Sequence, residues 1–250
     1  MDGKYALKKD IEGLSLARKV TKAYIEASQK NRLSLYYFFE DSVKQRQNED
    51  CIWSRECCFT WSQDYERVNQ YAQWYLSQGV QPHDLVSFYK TNSPDFIFAW
   101  LGLWAIGAAP AMINYNLAGK ALIHCLKVAG SGFLFVDQDP DLVGRIEEVR
   151  TEIEQTLGMK IQILDAAAKD VIRSTKPERP DDVYREGVKG NSPMCIFYTR
   201  LVPAARIYGY VTDIQSGTTG MPKGVPFNVD RGFQVGAAVC LVTFGASISN

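Results

Sequence analysis

The chain has 250 residues, of which 46% are hydrophobic and 12% aromatic, enough for a substantial buried core. Its 28 basic and 28 acidic residues give a formal net charge of zero, which argues against long-range attraction to nucleic acid or anionic lipid. We therefore expect a globular protein with no nucleic-acid partner.

The N-terminal segment has no secretory signal pattern. Met1–Tyr5 leads into the charged Lys8, Lys9 and Asp10 and not into an apolar core. The six cysteines include no CxxC pair, so neither a zinc ribbon nor a disulfide framework is indicated, and we assign no metal site. Both features favour an intracellular location with reduced thiols.

Residues 1–50 are polar and predict leading helices that pack onto a later part of the chain. The pattern changes at Cys51, where Ile52–Trp53 and Cys58–Phe59 are typical of short strands. A helix capped by Thr60 or Ser62 should then run to Gly79, a residue type that ends helices.

Strands and helices alternate beyond Gly79. This alternation predicts an α/β fold with a parallel sheet covered by helices on both faces, and ligand sites in such sheets form at the carboxyl ends of the strands. Residues 174–191 predict a surface loop before a final strand at Met194–Tyr198. The predicted strands are Leu85–Tyr89, Ala108–Ile113, Phe133–Val136 and Lys160–Leu164, and the helices are Pro94–Ile106, Ala118–Ala129 and Leu142–Leu157.

The stretch Phe96–Ile113 carries no charge over 18 residues, the lower limit for a membrane span. Two interpretations compete: a membrane-inserted helix, or a buried helix that stops at Gly107 before a short buried strand. Gly107 and Pro110 interrupt a spanning helix, which favours the buried helix and strand.

The motif SGTTGMPKG at residues 216–224 carries the chemistry. Its glycines let backbone N–H groups approach a phosphate, its hydroxyls donate to phosphate oxygens, and Lys223 adds a positive charge. It is not a Walker A loop, because Pro222 precedes the lysine and Gly224 follows it. The motif therefore predicts a triphosphate site outside the P-loop class.

This motif resembles the phosphate-binding signature of the adenylate-forming superfamily, which includes acyl-CoA synthetases. The upstream residues resemble its fatty-acid transport protein and very-long-chain acyl-CoA synthetase branch, over roughly Arg32–Thr199 and Ser216–Thr243. Those residues are Phe59–Trp61, Val68–Asn69, Asn92–Phe96, Trp100–Leu103, Ile106–Ala108, Ile113–Leu117 and Leu122–Leu126.

The resemblance implies ATP-dependent activation of a long- or very-long-chain fatty acid, first to an acyl-adenylate and then to acyl-CoA. It also implies Mg²⁺ and coenzyme A, whose main ligands lie elsewhere in the family fold, and peripheral association with endoplasmic reticulum, peroxisomes or lipid droplets. None of the site residues is an acid, base or nucleophile, so no catalytic residue is assigned. The phosphate-binding residues implied are Ser216, Gly217, Thr218, Thr219, Gly220 and Lys223.

Residues 200–215 depart from the family pattern, in which a Tyr-Thr pair runs directly into the phosphate motif. Removing these 16 residues would join Tyr198–Thr199 to Ser216. One hypothesis is an intron translated in frame; the alternative is a loop insertion in which Ile207–Ile214 forms a substitute strand. Either way, we expect the phosphate loop to lose rigid support.

The second departure is length. The family's adenine, ribose and magnesium ligands and its C-terminal domain with a catalytic lysine would follow Asn250. We therefore interpret residues 51–250 as an incomplete N-terminal domain, and expect poor solubility and no adenylation by this chain alone.

Other readings of the chain stay open. A non-catalytic membrane-associated protein of fatty-acid uptake is the alternative function, and the product of a faulty gene model is a third. His83, in a turn, and His124, in a helix, lack an acidic neighbour and receive no catalytic role. The carboxylates around Arg145 and Arg150 predict a solvated, ion-paired helix face.

Overall fold

The chain folds around a six-stranded sheet in the computed structural model, which describes residues 7–55, 57–199 and 221–244. The strands β1 (Asp50–Trp53) and β2 (Cys58–Thr60) form a separate antiparallel pair. The sheet contains β3 (Leu85–Tyr89), β4 (Ala109–Met112), β5 (Phe133–Asp137), β6 (Lys160–Leu164), β7 (Pro193–Thr199) and β8 (Lys223–Asn228).

The strand order is β6, β5, β3, β4, β7, β8. The first five strands are parallel, which confirms the predicted α/β class, while β8, a strand that was not predicted, runs antiparallel to β7. An antiparallel neighbour can pair without a crossover helix.

Helices cover both faces of this sheet. They are α1 (Leu7–Gln29), α2 (Tyr36–Arg46), α3 (Trp61–Gln78), α4 (Pro94–Ala105), α5 (Gly119–Ala129), α6 (Pro140–Glu147), α7 (Ala166–Ser174) and α8 (Val229–Phe244). Neighbouring residues of β5 point to opposite faces: Phe135 packs with α3 and α4, whereas Leu134 and Val136 pack with α5 and α6. Both faces of the strand are thus buried.

Local capping chemistry sets the bounds of α3, as predicted. The Thr60 hydroxyl accepts from the Gln63 amide at 3.3 Å, and the Gln63 side chain accepts from the Thr60 amide at 2.9 Å. Gly79 ends the helix with a φ of 90°, a conformation that glycine adopts without a steric penalty.

The uncharged stretch 96–113 forms a helix and a strand, which confirms the buried-core interpretation. Ser93 caps α4 by accepting from the Phe96 amide at 3.2 Å, and the chain then turns at Gly107, whose φ is 72°. The helix α4 has 12 residues. Within the described residues, no helix combines the length and apolar character that crossing a bilayer requires.

The leading helices pack onto later elements, as expected. Tyr24 of α1 donates to the Asp230 carboxylate of α8 at 2.5 Å, and its ring lies 5.4 Å from that of Phe233. Tyr36 of α2 donates to Asn69 of α3 at 2.9 Å. The division of the chain at residue 50 stays a prediction.

The predicted helix 142–157 is shorter and broken. Asp139 accepts from the Leu142 amide at 3.3 Å and begins α6, which ends in a tight turn where the Val149 amide donates to the Ile146 carbonyl at 3.1 Å. A π-helical turn follows at Glu152–Thr156 and buries Ile153. The broken helix still buries its apolar residues, because the π-helical turn places Ile153 in the core cluster that contains Leu142 and Ile146.

The region before β7 is more ordered than the predicted surface loop. The helix α7 was not predicted; Asp165 caps it by accepting from the Ala168 amide at 2.8 Å. Within the predicted loop, Asp182–Arg185 forms a 3₁₀ turn, and Arg185 is 1% exposed. Its guanidinium donates to the Ala105 carbonyl, so the loop is held in the core by a buried cation.

Candidate functional site

The end of β7 and the start of β8 place Lys223 at one edge of the sheet. Lys223 is the first residue of β8 and pairs with Thr199, the last residue of β7. Because β7 is parallel to β4, this end of β7 belongs to the carboxyl edge of the sheet. Ligand sites of α/β sheets form at that edge.

The remaining predicted phosphate-binding residues lie outside the described part of the chain. These are Ser216, Gly217, Thr218, Thr219 and Gly220; the predicted insertion 200–215 also lies outside it. Their roles stay predictions. The structure describes the two paired strand ends that the segment joins.

Lys223 is half-buried, and within the described residues no carboxylate forms an ion pair with it. A partly desolvated ammonium requires hydrogen-bond acceptors or an opposite charge. Its position at the carboxyl edge is therefore suited to an anionic ligand.

The residue before Lys223 is held by α5. His124 Nε2 lies 3.1 Å from the carbonyl oxygen of Pro222, which is buried. A carbonyl only accepts hydrogen bonds, so Nε2 must carry the proton and donate. The sequence assigns no role to His124, because its partner lies 98 residues away.

The segment after β4 is fixed at the same edge. The Tyr89 hydroxyl donates to the Leu117 carbonyl at 2.6 Å, and Arg145 donates to the Tyr115 carbonyl at 2.5 Å. Burial raises the pKa of Tyr89, while Arg145 acts in the opposite direction. Tyr89 therefore stays a neutral hydrogen-bond donor.

A buried ion cluster lies where β3 and β5 end. The Lys90 side chain is 0% exposed, and its Nζ lies 3.1 Å from Asp95 and 3.3 Å from Asp137. Thr91 donates to Asp137 from its amide and its hydroxyl, both at 2.8 Å. Burial alone would raise the pKa of Asp95, but the Lys90 ammonium lowers it below its ordinary value. Lys90 is thus neutralised by protein groups and acts as a structural cation.

The predicted ion-paired face is confirmed. Arg150 binds Glu147 at 2.6 Å and Glu154 at 2.7 Å on the protein surface.

Across the described residues, no group of three His, Cys, Asp or Glu side chains has an arrangement that would hold a metal ion. Burial raises the pKa of Cys125 to about 11 and that of Cys195 to about 12, so neither thiol is a nucleophile at neutral pH.

Comparison with known proteins identifies the family. A family model described as AMP-binding enzyme matches residues 39–240. The chain is 38% identical over 150 residues to isopenicillin N epimerase component 1 of Hapsidospora chrysogena, which covers 60% of this chain and 25% of that protein. It is 30% identical over 240 residues to the very long-chain fatty acid transport protein of Saccharomyces cerevisiae, which covers 89% of this chain and 33% of that protein.

The fold is also that of a solved domain. The inhibitor-bound N-terminal domain of FACL13 from Mycobacterium tuberculosis matches with a TM-score of 0.64 and 20% identity, over 78% of this chain and 44% of that chain. The present chain spans 25% and 33% of the two curated relatives. Since the family model matches most of its residues, the chain belongs to the AMP-binding enzyme family.

Proposed function

We propose that the chain forms the phosphate-binding part of an enzyme that activates a long- or very-long-chain fatty acid with ATP. The products would be an acyl-adenylate and pyrophosphate, and coenzyme A would then take the acyl group. Membership of the AMP-binding enzyme family supports the use of ATP. The name of the yeast relative supports the acid class.

The observation that carries this proposal is the position of Lys223. Its pairing with Thr199 brings the positive charge of the phosphate motif to the carboxyl edge of the sheet. The segment 216–220 precedes this position by two residues, so its amides and hydroxyls would surround the β- and γ-phosphates that Lys223 neutralises.

In the first step a carboxylate oxygen of the acid attacks the α-phosphorus of ATP. A new phosphorus–oxygen bond forms, the bond to the bridging oxygen of the β-phosphate breaks, and pyrophosphate leaves with its electron pair. The residues of this chain would contribute by orienting the triphosphate and neutralising its negative charge. In the second step the coenzyme A thiol attacks the acyl carbonyl, and AMP leaves.

Magnesium, when bound, would neutralise part of the negative charge of the triphosphate. Such ions commonly take one or two protein carboxylates besides substrate oxygens. The described residues contain no cluster of metal-ligating side chains, so we assign no magnesium ligand in this part of the chain.

Substitution of Lys223 tests the phosphate site. Lys223→Gln should weaken ATP binding about 10- to 100-fold, the range expected for one charge-assisted hydrogen bond. Isothermal titration of ATP against the chain measures the change. Lys127→Gln, which removes an exposed lysine of the adjacent α5, is the matched control and should bind like the parent. Equal losses in both variants would contradict the proposed role.

The acid class needs a separate test. In a protein that joins this chain to the rest of the family fold, palmitate or lignocerate should stimulate exchange of labelled pyrophosphate into ATP. Acetate should not stimulate it. Equal exchange with acetate would reject the long-chain assignment while leaving ATP use intact.

A further inference from the structure

Within the described residues, the pairing of β7 with β8 ends at Thr199 and Lys223, and the Pro222 carbonyl lies just before the first paired residue of β8. Proline has no N–H, and only this carbonyl can fasten the backbone at that position. Its hydrogen-bond partner is His124.

The helix that carries His124 makes a second contact on the other side of Lys223. A Cβ atom at Gly224 would lie only 3.1 Å from Cγ1 of Val128, so the helix approaches the strand closely. His124 and Val128 are four residues apart and lie on the same face of α5. One helix face therefore contacts both neighbours of Lys223 in the chain.

The helix itself is firmly anchored. Leu122 and Leu126 are 0% and 1% exposed, and both pack into the core formed with β5. A buried helix is a rigid support, and rigid support is what a preorganised binding site requires. The contact from His124 thus links the phosphate motif to a helix that is anchored in the core.

From these contacts we infer that His124 is a positioning residue: its Nε2–H holds the Pro222 carbonyl and so fixes the backbone from which Lys223 reaches a phosphate. The inference rests on the proposed function for its ligand. It does not make His124 a catalytic residue, because the ring contacts the protein backbone and no reacting atom. Loss of this hydrogen bond should therefore reduce the affinity for ATP and the order of the first residues of β8.

Two substitutions separate the hydrogen bond from the packing of the ring. His124→Met removes the donor at similar volume, whereas His124→Gln keeps an N–H donor that can reach the same carbonyl. Titration of the full chain with ATP should show roughly five- to tenfold weaker binding for His124→Met, as expected for one lost hydrogen bond, and near-parental binding for His124→Gln. Lys127→Met, on the same helix but exposed, is the control.

Hydrogen exchange provides a readout that needs no ligand. In His124→Met the amides of residues 223–225 should exchange faster than in the parent, while the β5 amides, an internal reference in the same sheet, should be unchanged. His124→Gln should restore the parental rate. A general loss of packing would instead raise exchange in β5 as well.

The two readouts distinguish failure of the inference from failure of the proposed function. If the parent binds no ATP, the proposed nucleotide site is rejected, and the exchange rates alone decide whether His124 fastens the strand. Unchanged exchange at residues 223–225 in His124→Met overturns the inference. Equal loss of ATP affinity in the Met and Gln variants also overturns it, because the hydrogen bond would then make no difference.

Discussion

Some buried ionisable side chains of this protein have charged or hydrogen-bonding partners, and one does not. Lys90 has two carboxylates within 3.3 Å, and Arg185 donates to backbone carbonyls and stacks 4.8 Å from the Tyr36 ring. Asp64 is also 0% exposed, yet neither of its carboxylate oxygens has a hydrogen-bond partner among the described residues. An uncompensated buried carboxylate favours its neutral form.

The stability of the fold should therefore depend on the ionisation of Asp64. Burial raises its pKa to about 6, although the neighbouring Cys51 thiol acts to lower it. The folded state thus holds this proton more tightly than the unfolded chain, whose aspartates titrate near pH ~3.9. The stabilising contribution is complete below that pH and is lost as the pH rises through about 6. The loss by pH ~7.5 is of the order of 3 kcal/mol.

Asp64→Asn should flatten this pH dependence, because the amide cannot ionise. Relative to the parent, the variant should gain unfolding free energy as the pH rises from about 5 to about 7.5. Urea unfolding at both pH values measures the gain. Asp170→Asn, at an exposed position of α7, is the control. A parent and an Asp64→Asn variant with parallel pH profiles would show that Asp64 does not carry the effect.

At the scale of elements, the contact between α3 and α4 depends on Gly102. A Cβ atom there would lie 2.8 Å from Cβ of Tyr71 and 3.2 Å from the Ala72 backbone nitrogen. Two helices can approach this closely only if one of them lacks a side chain at the crossing. The glycine thus permits the close packing of α4 on α3.

Gly102→Ala should destabilise the fold by about 1–3 kcal/mol through overpacking, even though alanine favours a helix. The matched control is Gly144→Ala in α6, where a Cβ would meet nothing within 4 Å. That variant should gain about 0.5–1 kcal/mol from helix propensity alone. Urea unfolding compares the two, and a gain in both variants would refute the close-packing argument.

At the scale of the whole molecule, the segment between β7 and β8 is long for strands that pair end to end. It has 23 residues, which would fall to seven without residues 200–215. Closing the shorter loop should cost about 1 kcal/mol less conformational entropy. This holds whether residues 200–215 are a translated intron or a true insertion, and the structure leaves both hypotheses open.

Deleting residues 200–215 should therefore raise the unfolding free energy by about 1 kcal/mol, as the entropy difference predicts. Urea unfolding measures the gain. A variant that replaces the segment with an equally long Gly/Ser linker should unfold like the parent, since the loop length is unchanged. A lower unfolding free energy after deletion would show that the segment supports the pairing of β7 with β8.

The match of this chain to the family model shows its family. Cellular location and oligomeric state are properties of the whole protein. The chain covers a quarter to a third of the length of its curated relatives. The absence of adenylation by this chain alone, coenzyme A binding and membrane association therefore stay predictions. The membrane-associated alternative relied on insertion of residues 96–113 in lipid. The structure does not support that insertion, because this stretch is folded as a helix and a strand of the sheet.

The sequence by itself determined the elements whose signals are local. The cap at Thr60, the stop at Gly79 and the turn at Gly107 were predictable because capping and left-handed conformations depend on a few neighbouring residues. The phosphate motif was recognisable for the same reason, since its residues are contiguous. The α/β class followed from the alternation of these elements.

Only the tertiary structure decided which distant residues meet. The contact of His124 with Pro222 joins residues 98 apart in the sequence. Lys90, which follows β3, contacts Asp137 at the end of the neighbouring strand β5. Nothing in the local pattern of β8 showed that it would pair antiparallel to β7. Long-range pairing depends on the packing of the complete core, and a periodic pattern carries no information about which partner a buried polar group will find.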